Sequence, residues 1–559
     1  MRRIVLVLIG GMLLLIPSLA CAQEEDEEKF EIGGYVQIQG GMFLPLMSRI
    51  DSRLDSTGTG YYENPKNLAF FKKKDKLDRT RPCDPVANPN TCFVESHGGK
   101  DWTMSMLRGQ MQLRAEWKPI ENVLVHAVVR AFGSMKLDAD KYAQPAKFPT
   151  GVNKFDYARD SAWDMFYNGI ELREFYLDIE ATDWLSFRIG RQQVVWGDIN
   201  SYRLLDVVNP EDTTWHFGPL ESFEDTRIPL WMLKMMFEMK EIEHSLEIVW
   251  VPGIDRPRDM VNPPLTLVGA WGLPLSNTPS PYVIDEKEFM YPGRKVEDQR
   301  IGLRWKGNFS PESSYSIMYF YTHQYSPPVP MYYDLYRDPQ TGYFDSNRMR
   351  KLYLGFPRQH IVGFSVDYSF DSPVGMVAKL EASIEPDRMF VRQSTTPKKH
   401  FDQSYGSGQE RTVFEQPRKP VINYALQFMR PTMIRWLNPT QNILFVLQFQ
   451  HAIVPTLTEE EKNDLIQIPG YNDFKVAKNS YTLVFVASTN YEHGAIAPRV
   501  TAAYIHPESG FISTQVDFRL GPTWRLRLQL TDFFGKDPYK ALGFFRDRDE
   551  LNVMLRAQF

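Results

Sequence analysis

Beyond Ala22 the chain has no apolar run approaching the ~18 residues of a membrane-spanning helix. That excludes crossing a bilayer by helices but not by strands. A barrel strand alternates lipid-facing apolar with lumen-facing polar side chains, so a mean hydropathy of -0.38 does not argue against one. Basic excess is also missing: 64 Lys and Arg face 69 Asp and Glu, a formal charge of -5. Loss of Arg2 and Arg3 with a leader makes the chain two units more negative, and nothing forms the basic patch that nucleic acid requires. Gly-x-Ser-x-Gly and His-Glu-x-x-His are absent, and histidines such as His216, His323 and His493 are scattered. No Cys-x-x-Cys-His haem attachment occurs. The chain is expected to be no enzyme and to hold neither cofactor nor metal.

Cysteine is scarce, limited to Cys21, Cys83 and Cys92. The first belongs to a leader, in which Met1-Arg2-Arg3, the apolar run Ile4 to Pro17 and Ser18-Leu19-Ala20-Cys21-Ala22 read as charged region, hydrophobic core and Ala-x-Ala cleavage site. Residues 1–22 are the expected signal peptide and 23–559 the exported protein. A membrane anchor would need a longer run, and Ser18 is a poor residue ahead of a lipidated Cys21. Cleavage leaves Cys83 and Cys92, which an oxidising envelope would join as a local disulfide; a metal site would want more ligands nearby.

The clearest strand is Leu107 to Trp117, where Leu107, Gly109, Met111, Leu113, Ala115 and Trp117 alternate with Arg108, Gln110, Gln112, Arg114 and Glu116. A soluble sandwich shares this pattern. What points to a barrel is the alternation of links. Tight ones fall near Lys118–Glu121, Ala181–Asp183, Glu241–Glu243, Gly307-Asn308, Asp371–Pro373, Asn438-Pro439, Glu492–Gly494 and Gly521–Thr523. Long ones cover about 43–103, 134–165, 197–227, 253–297, 324–357, 387–419 and 453–478. The expectation is an all-β fold, a single antiparallel transmembrane barrel of about 18 strands, or 16, with short periplasmic turns and long extracellular loops.

Aromatic residues gather at the tight-turn ends. Trp117, Trp184, Trp305, Tyr315, Phe370, Phe428, Trp436, Tyr491, Trp524 and Phe559 form an expected periplasmic girdle. The final strand alternates Leu551, Val553, Leu555, Ala557 and Phe559 with Asn552, Met554, Arg556 and Gln558. Its terminal Phe559 resembles the signal read by the barrel assembly machinery. These readings place the chain in the outer membrane of a Gram-negative bacterium, among phospholipid and lipopolysaccharide.

The densest run of unusual residues is Gly190 to Asp198, continued by Arg203 to Asp212. Leu204, Leu205, Val207 and Val208 do not suit a solvated loop, so 197–227 is expected to fold into the barrel mouth. Arg191, Gln192, Trp196, Asp198, Arg203, Asp206, Asn209 and Asp212 are the candidate constriction residues, either lining a passage or pairing to hold the loop. On the inferred lumen face, Arg108, Arg114, Glu116, Glu174, Asp178, Arg188, Arg519, Arg525 and Arg527 carry both signs. Tyr319-Phe320-Tyr321 to Tyr332-Tyr333 offers aromatic surface for an apolar ligand or a sugar ring.

The stretch Gly-Arg-Gln-Gln-Val-Val-Trp-Gly-Asp with Arg-Leu-Leu-Asp-Val-Val-Asn-Pro-Glu-Asp resembles the signature of a bacterial family called domain of unknown function 1302. The resemblance implies a role in moving hydrophobic or lipid-like compounds, with a periplasmic or outer-membrane lipoprotein and an inner-membrane resistance-nodulation-division transporter as partners. It carries over no catalytic residue. A general or sugar-type porin and a structural or adhesive barrel remain the alternatives, and the oligomeric state is open.

Overall fold

The computed structural model describes residues 30–44, 61–62, 78–82, 92–93, 103–135, 168–199, 201, 203–212, 216, 220–253, 282–283, 289–290, 292, 295–324, 329–336, 350–371, 373–392, 398–400, 409–466, 476–506, 509–535, 542, 545 and 548–559. The leader and Cys83 lie outside these residues, as does the side chain of Cys92.

Eighteen strands form one sheet. They are β1 Phe30–Phe43, β2 Thr103–Ile120, β3 Val123–Ser134, β4 Asn168–Thr182, β5 Leu185–Gln192, β6 Leu230–Met239, β7 His244–Val251, β8 Arg300–Ser310 and β9 Ser313–His323. There follow β10 Arg358–Phe370, β11 Met376–Met389, β12 Arg418–Thr432, β13 Ile443–Ile453, β14 Asn479–Ser488, β15 Ile496–Ile505, β16 Ser509–Leu520, β17 Trp524–Gly535 and β18 Glu550–Gln558. Each pairs antiparallel with the next, and β1 pairs with both β2 and β18, so the sheet closes into a ring without edges.

Period two decides which way each residue faces. In β9, Met318 is 2% exposed and Phe320 0%, whereas Ile317 between the inward positions is 51% exposed. Trp231, Trp250, Val362, Phe364, Leu447, Leu483, Leu528 and Val553 continue that outward apolar face round the ring. So broad an exposed apolar surface requires lipid rather than water around it, which makes this a transmembrane barrel of the outer-membrane type. Trp117, Trp184, Phe370, Phe428, Trp436 and Phe559 are exposed at the tight-turn end. The seam closes there: Phe559 N–H donates to the Gly34 carbonyl at 3.1 Å and Gly34 N–H returns a bond to the Phe559 carbonyl at 2.9 Å. A Cβ on Gly34 would stand 2.4 Å from the Gln112 carbonyl oxygen, so this close approach requires glycine.

One expected turn is elsewhere. Gly307 and Asn308 lie within β8, opposite Tyr315 and Ser314, and the strand reverses after Ser310. Gly307 is small because a Cβ there would meet the His244 ring at 2.3 Å, and the Ser313 hydroxyl accepts from Ser310 N–H at 3.0 Å to fasten the real turn. The long links are partly regular too. Val329–Tyr336 pairs with Arg350–Gly355 and with Gln409–Val413 in a sheet separate from the ring. The side chains of Tyr332 and Tyr333 lie outside the described residues, while Phe320 of the same aromatic stretch faces inward.

Candidate functional site

The described residues between Gln192 and Leu230 leave the wall and form a strap inside the lumen, anchored on three sides. Its first anchor is apolar. Val194, Trp196, Leu205 and Val208 pack with the inward residues Leu230, Met232, Val249, Val251, Met318, Phe320 and Ile361 of β6, β7, β9 and β10. The Trp196 ring meets Phe320 edge-on at 5.7 Å, and its Nε1–H donates to Glu247 at 2.9 Å. Space for it comes from Gly302, where a Cβ would stand 2.5 Å from Trp196 Cη2. From β11, Glu381 accepts backbone N–H bonds from Asp198 at 2.5 Å, Ile199 at 2.9 Å and Leu205 at 3.0 Å. One buried carboxylate thus satisfies three donors of a stretch that, among the described residues, has no strand partner.

The second anchor is the short helix α1, Phe223–Thr226, against β2 to β4. Arg130 pairs with Asp225 at 2.6 Å, and Arg173 donates to the carbonyls of Glu224, Asp225 and Arg227 at 2.5, 3.1 and 3.0 Å. The third lies toward β14 to β18, where Leu220 joins Val484, Ala503, Phe511 and Phe533. Nearby His216 bonds Glu550 of β18 at 2.8 Å and approaches Glu221 at 3.2 Å, while Ser105 donates to Glu550. Burial alone would push the His216 imidazole down, but the Glu550 and Glu221 carboxylates outweigh it and hold it at about 9. Burial alone would raise Glu221; Arg108, 2.8 Å away, and then His216 and Arg527 bring it down to about 2.

The eight sequence candidates fall mostly within these attachments. Asp206 accepts from Arg203 at 2.8 Å and from Arg227 at 2.6 Å. Asn209 accepts from Val194 N–H at 2.7 Å and donates to the carbonyls of Gln192 at 3.2 Å and Ile228 at 2.8 Å. Gln192, fully buried, donates to the Arg188 and Met232 carbonyls, each at 3.1 Å. Trp196 and Asp198 stand apart from that group: the Asp198 carboxylate accepts from Ser365 at 3.1 Å and its carbonyl from Lys379 at 2.9 Å. Arg191 and Asp212 line a narrow space of about 60 Å³ with Arg108, Arg130 and Arg173. On the tight-turn side a cavity of about 480 Å³ is lined by Tyr35, Gln37, Gln112, Arg527, Gln529 and Arg556, with Leu220 to Asp225 of the strap beside it.

Glu381, Glu247, Arg130, Arg173 and Glu550 escaped sequence reading. Their signal is faint: charged residues at inward positions of strands, indistinguishable from pore lining until the ring brings the strap against them.

Solved structures similar to this chain include OccAB4 of Acinetobacter baumannii, 10% identical with a TM-score of 0.42, covering 96% of this chain and 99% of the other. A BenF-like porin from Pseudomonas fluorescens Pf-5 is 9% identical with a TM-score of 0.41, covering 95% and 98%. OmpF of Salmonella typhi, in complex with daunomycin, is 7% identical with a TM-score of 0.36, covering 96% and 100%. No curated protein matches. A family model does match, over residues 4–256 and 267–559, and the chain therefore belongs to the family described as protein of unknown function (DUF1302).

Proposed function

We propose that this barrel is an outer-membrane channel in which a small solute passes beside the strap rather than through an open lumen. The observation that carries the reading is the division of labour inside the ring. The strap's Val194, Trp196, Leu205 and Val208 are consumed by packing on β6, β7, β9 and β10, while the cavity beside it is walled chiefly by glutamine, arginine and the carboxylates Glu31, Glu116, Glu221, Glu224 and Asp225. Such a lining favours a polar or amphiphilic solute and limits its size. Purified protein in a planar bilayer should give stepwise conductance smaller than that of an unobstructed barrel. Bilayers that stay sealed at saturating protein would overturn the proposal.

A second reading rests on Val249, Val251, Met318, Phe320 and Ile361, an inward apolar wall under the strap. If the strap lifts, that wall suits a hydrophobic or lipid-like compound, delivered to or from a periplasmic lipoprotein and an inner-membrane transporter. Co-purification of a lipid-like molecule with a strap-loosened variant, and not with wild type, would favour it.

A further inference from the structure

We infer that the tight-turn side of the lumen contains a recognition site for a carboxylate or phosphate head group, built by Arg519, Arg525 and Arg556 in one row across β16, β17 and β18. Register makes the row. Arg519 stands opposite Arg525, and Arg525 opposite Arg556. All three take the inward parity, because Leu520, Leu528 and Val553 of the same strands are exposed on the outer face. Directly opposed residues on one face have Cβ atoms about 5 Å apart, so like charges there repel. Arg499 of β15 shares the inward parity, opposite Gln515.

Among the described residues, carboxylates meet the row only at its Arg556 end. Asp517, on the inner face of β16, is taken by Arg527 at 2.7 Å. Among the described residues no carboxylate bonds Arg519 or Arg525, and Asp225 approaches Arg556 no closer than 3.9 Å. Arg556 is instead held by neutral groups, donating to the Gln37 amide oxygen at 2.8 and 2.5 Å and lying 4.1 Å over the Tyr35 ring. A chain of net charge -5 thus keeps three cations in adjacent opposed positions, one of them pre-oriented. An anion bound among them removes the repulsion, and guanidinium forks match the paired oxygens of a carboxylate or phosphate. Of the row, Arg556 lines the 480 Å³ cavity, with Tyr35 and Met554 and with the carboxylates Glu31, Glu116, Glu221, Glu224 and Asp225 elsewhere on its wall, so the body of the ligand lies beside Arg556 while its anionic end is kept to the arginine row. The class is a small amphiphile with one anionic end.

The inference deepens the channel proposal but is tested without conduction. Calorimetry on the detergent-solubilised full chain, titrated separately with inorganic phosphate and with octanoate, compares wild type with the double variant Arg519→Gln, Arg525→Gln. Neither arginine has a partner to lose, so heat-modifiable migration should be unchanged. At least about tenfold weaker binding is expected in the variant. If the glutamine pair assembles poorly, Arg519→Lys with Arg525→Lys keeps the charge, loses the forks, and should still bind more weakly than wild type. Tighter octanoate than phosphate binding would assign a carboxylate amphiphile, and the reverse a phosphate head group. Wild type binding neither anion, or variants binding as well as wild type, overturns the site. Binding in a protein that passes no current would leave the site and sink the channel; current without binding would do the opposite.

Discussion

Replacing Glu381 by Gln tests whether the strap is held from the wall. The carboxylate accepts three backbone N–H bonds, from Asp198, Ile199 and Leu205, in a site where Glu381 is 0% exposed. An amide keeps one acceptor oxygen and turns an NH₂ group toward a donor it cannot satisfy. Oε1 accepts from Asp198 and Ile199 and Oε2 from Leu205, so an NH₂ in the Oε2 place loses the Leu205 bond and leaves buried donors facing each other, about 3 kcal/mol of local destabilisation. That shifts opening of this stretch roughly 150-fold, while the Trp196 and Leu205 packing still limits full release. Hydrogen exchange of peptides covering residues 196–206 should rise by about two orders of magnitude, with noisier or larger single-channel conductance. Exchange within about twofold of wild type, in a barrel that still shows heat-modifiable migration, would refute the claim that Glu381 carries this end of the strap.

The His216 clasp should loosen at alkaline pH. The imidazole is held up at about 9 against an ordinary 6.5, so its contribution is full below 6.5 and is lost as pH rises through about 9. Glu221, brought down to about 2, contributes above 4.5 and loses its share only as pH falls through about 2. Groups facing the pair are Glu550 and Ser105, with Arg108 and Arg527 on the Glu221 side; exchange of the 220–227 peptides from pH 6 to 10 should rise in wild type and already be high in His216→Gln. Gly302→Val should expel Trp196 from its seat at a cost of about 1 to 3 kcal/mol, read as faster trypsin cleavage after Arg203. Deleting Phe559 removes both bonds to Gly34 and should lower outer-membrane abundance, leaving chain in the periplasm.

Strand existence was legible because period two is local: Leu107 to Trp117 announces both its faces without knowledge of any neighbour. Turn positions were less so. Gly307-Asn308 reads as a turn by composition, yet the glycine answers to His244 of the adjacent strand. The strap announced itself through Leu204-Leu205 and Val207-Val208, apolar pairs that water does not suit. Its anchors did not, because the contact between Glu381 and Leu205 spans 176 residues and exists only once the ring is formed. The same holds for the arginine row: each arginine was readable as inward-facing, but its opposite neighbours are set by strand register.

The seam between β1 and β18 also ties the wall to the strap. Gln39 bonds Asn552 across 513 residues, so the first and last strands of the ring are held directly to each other. The Glu550 that bonds His216 belongs to β18, the strand that comes last in the ring. The same Glu550 accepts from Ser105 of β2, so one carboxylate joins the last strand, the second strand and the strap. The wall's seam and the strap's latch share that residue.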